Sequence, residues 1–146
     1  MNIKPKQSLP INLAVSFSVI LFAVVVPILE LNETHVWNPD WTPHAKIHEV
    51  WQLITNCGIG VLCLYLAWLK GESRLSSILC LLVMGGFLLA FILKEGYGGS
   101  MRYLDGSEKT VFGINIGVFG YGLATLGILI SIGWDELSKR QKTTSL

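Results

Sequence analysis

Apolar residues run along this chain in four long blocks separated by short polar stretches. The blocks extend from about Leu9 to Leu31, Pro43 to Leu69, Leu75 to Lys94 and Val111 to Trp134. Each is close to the roughly 20 helical residues that cross a bilayer core of about 30 Å. Nothing is left over for a soluble domain, so residues 1–146 read as a single all-α unit, an integral membrane four-helix transmembrane bundle. Short connectors predict that sequential helices pack as antiparallel neighbours.

Local signals mark the ends of these blocks. Pro27 removes a backbone donor near the end of the first span and predicts a bend before Glu30. Thr42 can cap the second span, and Pro43 suits its first helical position. The fourth span carries Gly113, Gly117, Gly120, Ala124, Gly127 and Ser131 on one helical stripe. A stripe of small residues lets two helices approach closely in lipid. It predicts tight packing within the chain, with a homo-oligomer seam through Gly113, Gly117, Gly120 and Ala124 as the alternative.

Composition agrees with the pattern. Of the residues, 51% are hydrophobic and only 14% are charged, values that suit a polytopic membrane protein rather than a soluble domain. A net charge of +1 gives no case for nucleic-acid binding. The first apolar run exceeds a signal-peptide core and ends in Glu30-Leu31-Asn32-Glu33, with no small-residue cleavage site. Cys57, Cys63 and Cys80 fall inside apolar runs, where unpaired cysteine behaves as a small hydrophobe. Positive charge orients the bundle. Lys4, Lys6, Lys70, Arg74, Lys139, Arg140 and Lys142 outnumber Lys46, Lys94, Arg102 and Lys109, which predicts an N-in, C-in topology. The first and third connectors then face the periplasm, an organelle lumen or the exterior.

The candidate chemistry is concentrated in the first connector. All three histidines lie between Thr34 and His48, together with Trp37, Trp41, Pro39, Pro43 and Asp40. His44, His48, Gln52 and Asn56 recur every fourth residue and predict a polar stripe descending into the second span. Intramembrane polar groups are expensive and usually face a bundle interior or a wet cavity. Glu30, Glu95 and Asn115 sit at matching ends of the other spans, so the expected pocket comprises His35, Asn38, His44, Gln52, Asn56 and Asn115 around catalytic His48, Glu30 and Glu95. Three uses fit this set. His35, His44 and His48 with a carboxylate suit a divalent metal such as zinc, iron or copper. A buried Glu and a neighbouring His suit acid–base chemistry on a lipophilic small molecule. A purely structural connector, anchored at the interface by Trp37 and Trp41, needs neither. Residues Gly96 to Thr110 read as a solvated loop, long enough to fold over the first connector as a lid.

The string from Leu31 to His48, L-N-E-T-H-V-W-N-P-D-W-T-P-H-A-K-I-H, resembles a signature of an uncharacterised family of small four-span membrane proteins, with the pattern L-N-x-T-H-x-x-N-P-x-W-x-x-H-A-x-x-H. The resemblance covers these residues and otherwise only hydropathy. It implies the four-helix membrane architecture and weight on His35, Asn38, His44 and His48, and no particular activity. The type of site is also similar to that of the emopamil-binding sterol isomerase group, where carboxylates and a histidine among membrane helices move a proton, without a residue-by-residue match. Two functional classes follow from the residues. A membrane-embedded enzyme acting on a lipophilic small molecule requires an apolar cavity beside the polar stripe. A non-catalytic metal- or lipid-binding subunit with a structural histidine cluster requires none.

Overall fold

The structure, a computed structural model, describes residues 8–103 and 105–144. Four helices in it are long and apolar enough to cross a membrane. They are α1 (Leu9–Glu30), α2 (Pro43–Lys70), α3 (Ser73–Tyr97, its last turn tightened to a 3₁₀ helix) and α4 (Ile116–Thr144). Residues such as Val61, Leu82, Ile92 and Ile130 stand exposed on the outside of the bundle, as expected where lipid rather than water is the neighbour.

Pro27 acts as its position predicts. It has no N–H to offer the Ala23 carbonyl, and the preceding turn, Leu21–Val25, widens to π-helical bonding. Cys57 of α2 donates its thiol to that carbonyl at 3.3 Å, so the defect in α1 is satisfied from the next helix. The start of α2 also follows expectation, with the Thr42 hydroxyl accepting the Ala45 N–H and Pro43 in the first turn.

The start of α4 differs from expectation. Residues Thr110–Val111 (β1) and Ile114–Asn115 (β2) form a small antiparallel ribbon, with Thr110 opposite Asn115 and Val111 opposite Ile114. Phe112 and Gly113 turn it with φ of 53° and 77°, the double positive φ that matches hairpin twist. The helix therefore begins at Ile116 and not at Val111. Gly113 belongs to the turn, off the helical stripe assigned to it. Part of that stripe packs within the chain, while a Cβ at Gly127 would meet nothing within 4 Å. Gly117 lies against Phe87, Gly120 faces Leu21, and Ala124 is buried in the core.

The bundle divides along its length. At the end where α2 turns into α3, a close-packed core forms from Ile11, Val15, Val19 and Phe22 of α1, Cys63 and Ala67 of α2, Cys80 and Met84 of α3, and Ala124 and Ile128 of α4. A polar knot ties this end together. Asn12 is fully buried, its amide donates to the Ala67 carbonyl at 3.0 Å, and its oxygen accepts from the Ser73 hydroxyl at 2.6 Å. Ser76 donates to the Cys63 carbonyl at 2.8 Å. Outside the core, Arg74 pairs with Glu136, and Lys139 with Asp135 at 2.6 Å. Lys4 and Lys6, used in the charge argument, lie outside the described residues, as does the side chain of Lys142. The opposite half of the bundle is hollow.

Candidate functional site

That hollow is a cavity of about 1050 Å³ between the four helices. Its deep walls are apolar, with Phe17 and Leu21 from α1, Val83 and Phe87 from α3, and Phe119 and Leu123 from α4. Its rim is polar and draws on every element at this end. Glu30 ends α1, His35 and Trp41 come from the first connector, and Glu49, Gln52 and Asn56 from α2. The third connector folds back over the first and adds Arg102, Tyr103 and Lys109. Part of the Gly96–Thr110 stretch thus covers the cavity, as a lid over the first connector would, while residues 105–110 stay exposed.

His35 is the best-held group on this rim. Its Nε2 lies 3.1 Å from Glu30 Oε2. Its Nδ1 lies 2.8 Å from the Thr34 hydroxyl, which is 2.7 Å from Asn32 Oδ1. The Asn32 amide nitrogen donates to the Leu29 carbonyl at 2.6 Å, so its Oδ1 is turned toward Thr34 as an acceptor. Thr34 has a single hydroxyl proton and must give it to that oxygen. His35 Nδ1 then carries a hydrogen and donates to Thr34, which leaves Nε2 facing Glu30. The Nε2–Oε2 separation allows a hydrogen bond when either atom carries a proton. Trp41 and Tyr103 meet the imidazole edge-on, at 5.7 and 5.8 Å between centroids. Burial, and then the nearby Lys109 ammonium, push the His35 pKa below its ordinary value of 6.5. The neutral imidazole is favoured, with Nε2 turned toward the Glu30 carboxyl.

The other expected site residues divide. Glu30, His35, Gln52, Asn56 and Asn115 do line the cavity. Asn115 is largely committed elsewhere, since its Oδ1 accepts the Gly117 and Val118 N–H groups at 2.9 and 3.3 Å and caps α4. Asn38 is buried away from the cavity in the connector turn, where its Oδ1 accepts the Asp40 N–H at 2.9 Å. Glu95 is exposed in the last turn of α3 and does not reach the rim.

His44 and His48 correct the expectation most. They are exposed and contact each other, Nε2 to Nε2 at 3.0 Å. Neither lines the main cavity, and His48 borders a separate, more open groove that it shares with Trp51, Gln52, Thr55 and Asn56. The reason is helical geometry. At about 100° per residue, a row spaced by four drifts about 40° each step, so His44 stands roughly 120° around the helix from Asn56. The face that meets the cavity is Glu49, Gln52 and Asn56, spaced three and four. Glu49 was legible from that spacing. Arg102, Tyr103 and Lys109 were legible only as members of a loop long enough to form a lid, because the fold of the third connector decides which of its side chains lie over the rim. The three histidines consequently do not converge. Among the described residues no group of three His, Cys, Asp or Glu side chains is placed to hold a metal ion, so the set His35, His44 and His48 is not assembled.

Compared with protein-family models, curated proteins and solved structures, the chain matches none. The functional reading rests on the geometry alone.

Proposed function

We propose that this protein is a membrane-embedded enzyme that takes a lipophilic small molecule into the interhelical cavity and moves a proton on it with the Glu30–His35 pair. The observation that carries the reading is the 3.1 Å contact between His35 Nε2 and Glu30 Oε2 on the rim of a cavity of about 1050 Å³. That volume is at the top of the usual range for small-molecule sites, about 300–1,000 Å³. Apolar walls suit the body of a lipophile, and the polar rim suits its reacting end.

The chain supplies both halves of an acid–base couple. With Nδ1–H tied to Thr34, the imidazole is held in one tautomer and offers Nε2 as base. The Glu30 carboxyl donates a proton at the adjacent position. Removal of a proton from one carbon of the ligand and return to another, as in a double-bond isomerisation, needs no further reactant. The charge distribution supports an N-in, C-in topology, with Lys70, Arg74, Lys139 and Arg140 at the cytoplasmic end. The cavity rim then faces the periplasm, a lumen or the exterior.

Solvent deuterium tests the reading. Protein purified with its co-extracted lipophile and incubated in D₂O is expected to place deuterium in that molecule. Glu30→Gln and His35→Gln should retain the lipophile and lose the exchange. A lipophile that stays unlabelled in the wild type would overturn the catalytic assignment in favour of a non-catalytic lipid-binding subunit. A preparation with no lipophile would overturn both.

A further inference from the structure

The roof of the cavity holds two cations that make no direct ion pair among the described residues. Arg102 and Lys109 both line the rim, and among the described residues neither has a carboxylate within ion-pair distance. Lys109 instead lies 5.5 Å from the centroid of the Tyr103 ring, the ring that meets His35 edge-on. Glu30 is engaged with His35 at 3.1 Å. Glu49 is the one remaining acidic residue lining the cavity. Neither carboxylate lies within ion-pair distance of Arg102 or Lys109, and both cations sit on a connector that lies across the mouth.

Both side chains are exposed at the mouth, and guanidinium and ammonium donors form their strongest hydrogen bonds with anionic oxygens. The opposite end of the cavity is lined by Phe17, Leu21, Val83 and Phe87 and has no charged group. We infer that the ligand is an anionic amphiphile, a single apolar chain or ring system ending in a carboxylate or phosphate, with its head held by Arg102 and Lys109 and its body between the helices. This rests on the proposed lipophile cavity and names the class of molecule that enters it. The head would sit next to the Glu30–His35 pair, so the bond that changes would be near the charged end of the ligand.

Fluorescent cis-parinaric acid and its methyl ester separate head from body. The two share an apolar chain, and only the acid has an anionic end. The acid should bind the detergent-solubilised full chain at least about tenfold more tightly than the ester, a difference typical of one charge-assisted contact. Arg102→Gln and Lys109→Gln should each bring the acid toward the affinity of the ester. Lys94→Gln, whose ammonium lies over Phe91 outside the cavity, should leave the preference intact. Dodecyl phosphate should displace the acid, whereas inorganic phosphate at equal concentration should not. Displacement by inorganic phosphate would mean a free-anion site and overturn the amphiphile. Equal binding of acid and ester would overturn the head-group assignment and leave the lipophile cavity standing. Binding of neither would remove both.

Discussion

His35 reaches Glu30 across the end of the first span, Nε2 to Oε2 at 3.1 Å, while its other ring nitrogen is held by Thr34 at 2.8 Å. The two contacts together determine which nitrogen carries hydrogen. Nitrogen-15 spectra of histidine-labelled protein should therefore show His35 as the neutral Nδ1–H tautomer near pH 7, the less common form in water. Thr34→Ala removes the acceptor and should return His35 to a tautomer mixture. An Nε2–H signal in the wild type would refute the hydrogen-bond assignment.

The same residue predicts a pH dependence. Burial and Lys109 lower the folded-state pKa of His35 below 6.5, so the unfolded chain binds more protons in that window. The His35 contribution is present in full above about pH 6.5 and is lost as pH falls through the folded-state value. Thermal stability of the solubilised protein should fall over this interval, and His35→Gln should flatten that part of the profile. An unchanged profile in the variant would assign the loss to other groups.

Gly60 and Gly58 make a controlled pair on α2. A Cβ at Gly60 would stand 2.8 Å from Ala23 Cβ and 3.1 Å from Val19, whereas one at Gly58 would meet nothing within 4 Å. Gly60→Ala must push α1 and α2 apart and should destabilise by about 1–3 kcal/mol. Gly58→Ala should be neutral or stabilise by up to about 1 kcal/mol through helix propensity. Thermal unfolding of the two variants side by side provides the check.

Asn12→Ala should be costly for a different reason. It leaves the Ala67 carbonyl and the Ser73 hydroxyl without their partner in a dry core. A loss of about 1–3 kcal/mol is expected. Since Asn12 is in the packed half of the bundle, parinaric acid should still bind below the melting transition. Loss of binding with unchanged stability would contradict the division between core and cavity.

His44→Ala and His48→Ala should change thermal stability by less than about 0.5 kcal/mol, the range for exposed substitutions, and should leave lipophile occupancy unaltered. A selective loss of ligand with His48→Ala would restore the histidine stripe to the site and argue for a different roll of α2.

The sequence alone determined that the chain has four helices long and apolar enough to cross a bilayer, where α1 and α2 begin and end to within a residue, and that polar and titratable residues gather at the end holding the first connector. These are local and one-dimensional properties. Twenty or so apolar residues have one stable form in lipid, and Thr42-Pro43 and Pro27 act on their own turn of helix. It also placed Glu30, His35, Gln52 and Asn56 on the right end of the right elements. Helical rotation decided which of the α2 residues reach the cavity. An i, i+4 row looks continuous in sequence, yet it coils away, turning His44 and His48 outward and Glu49 inward. Loop closure decided the rest. Arg102, Tyr103 and Lys109 follow no periodicity, and they reach the rim, Tyr103 against His35, only because the third connector folds across the first. Such contacts join residues far apart in the chain through backbone turns that no local pattern encodes.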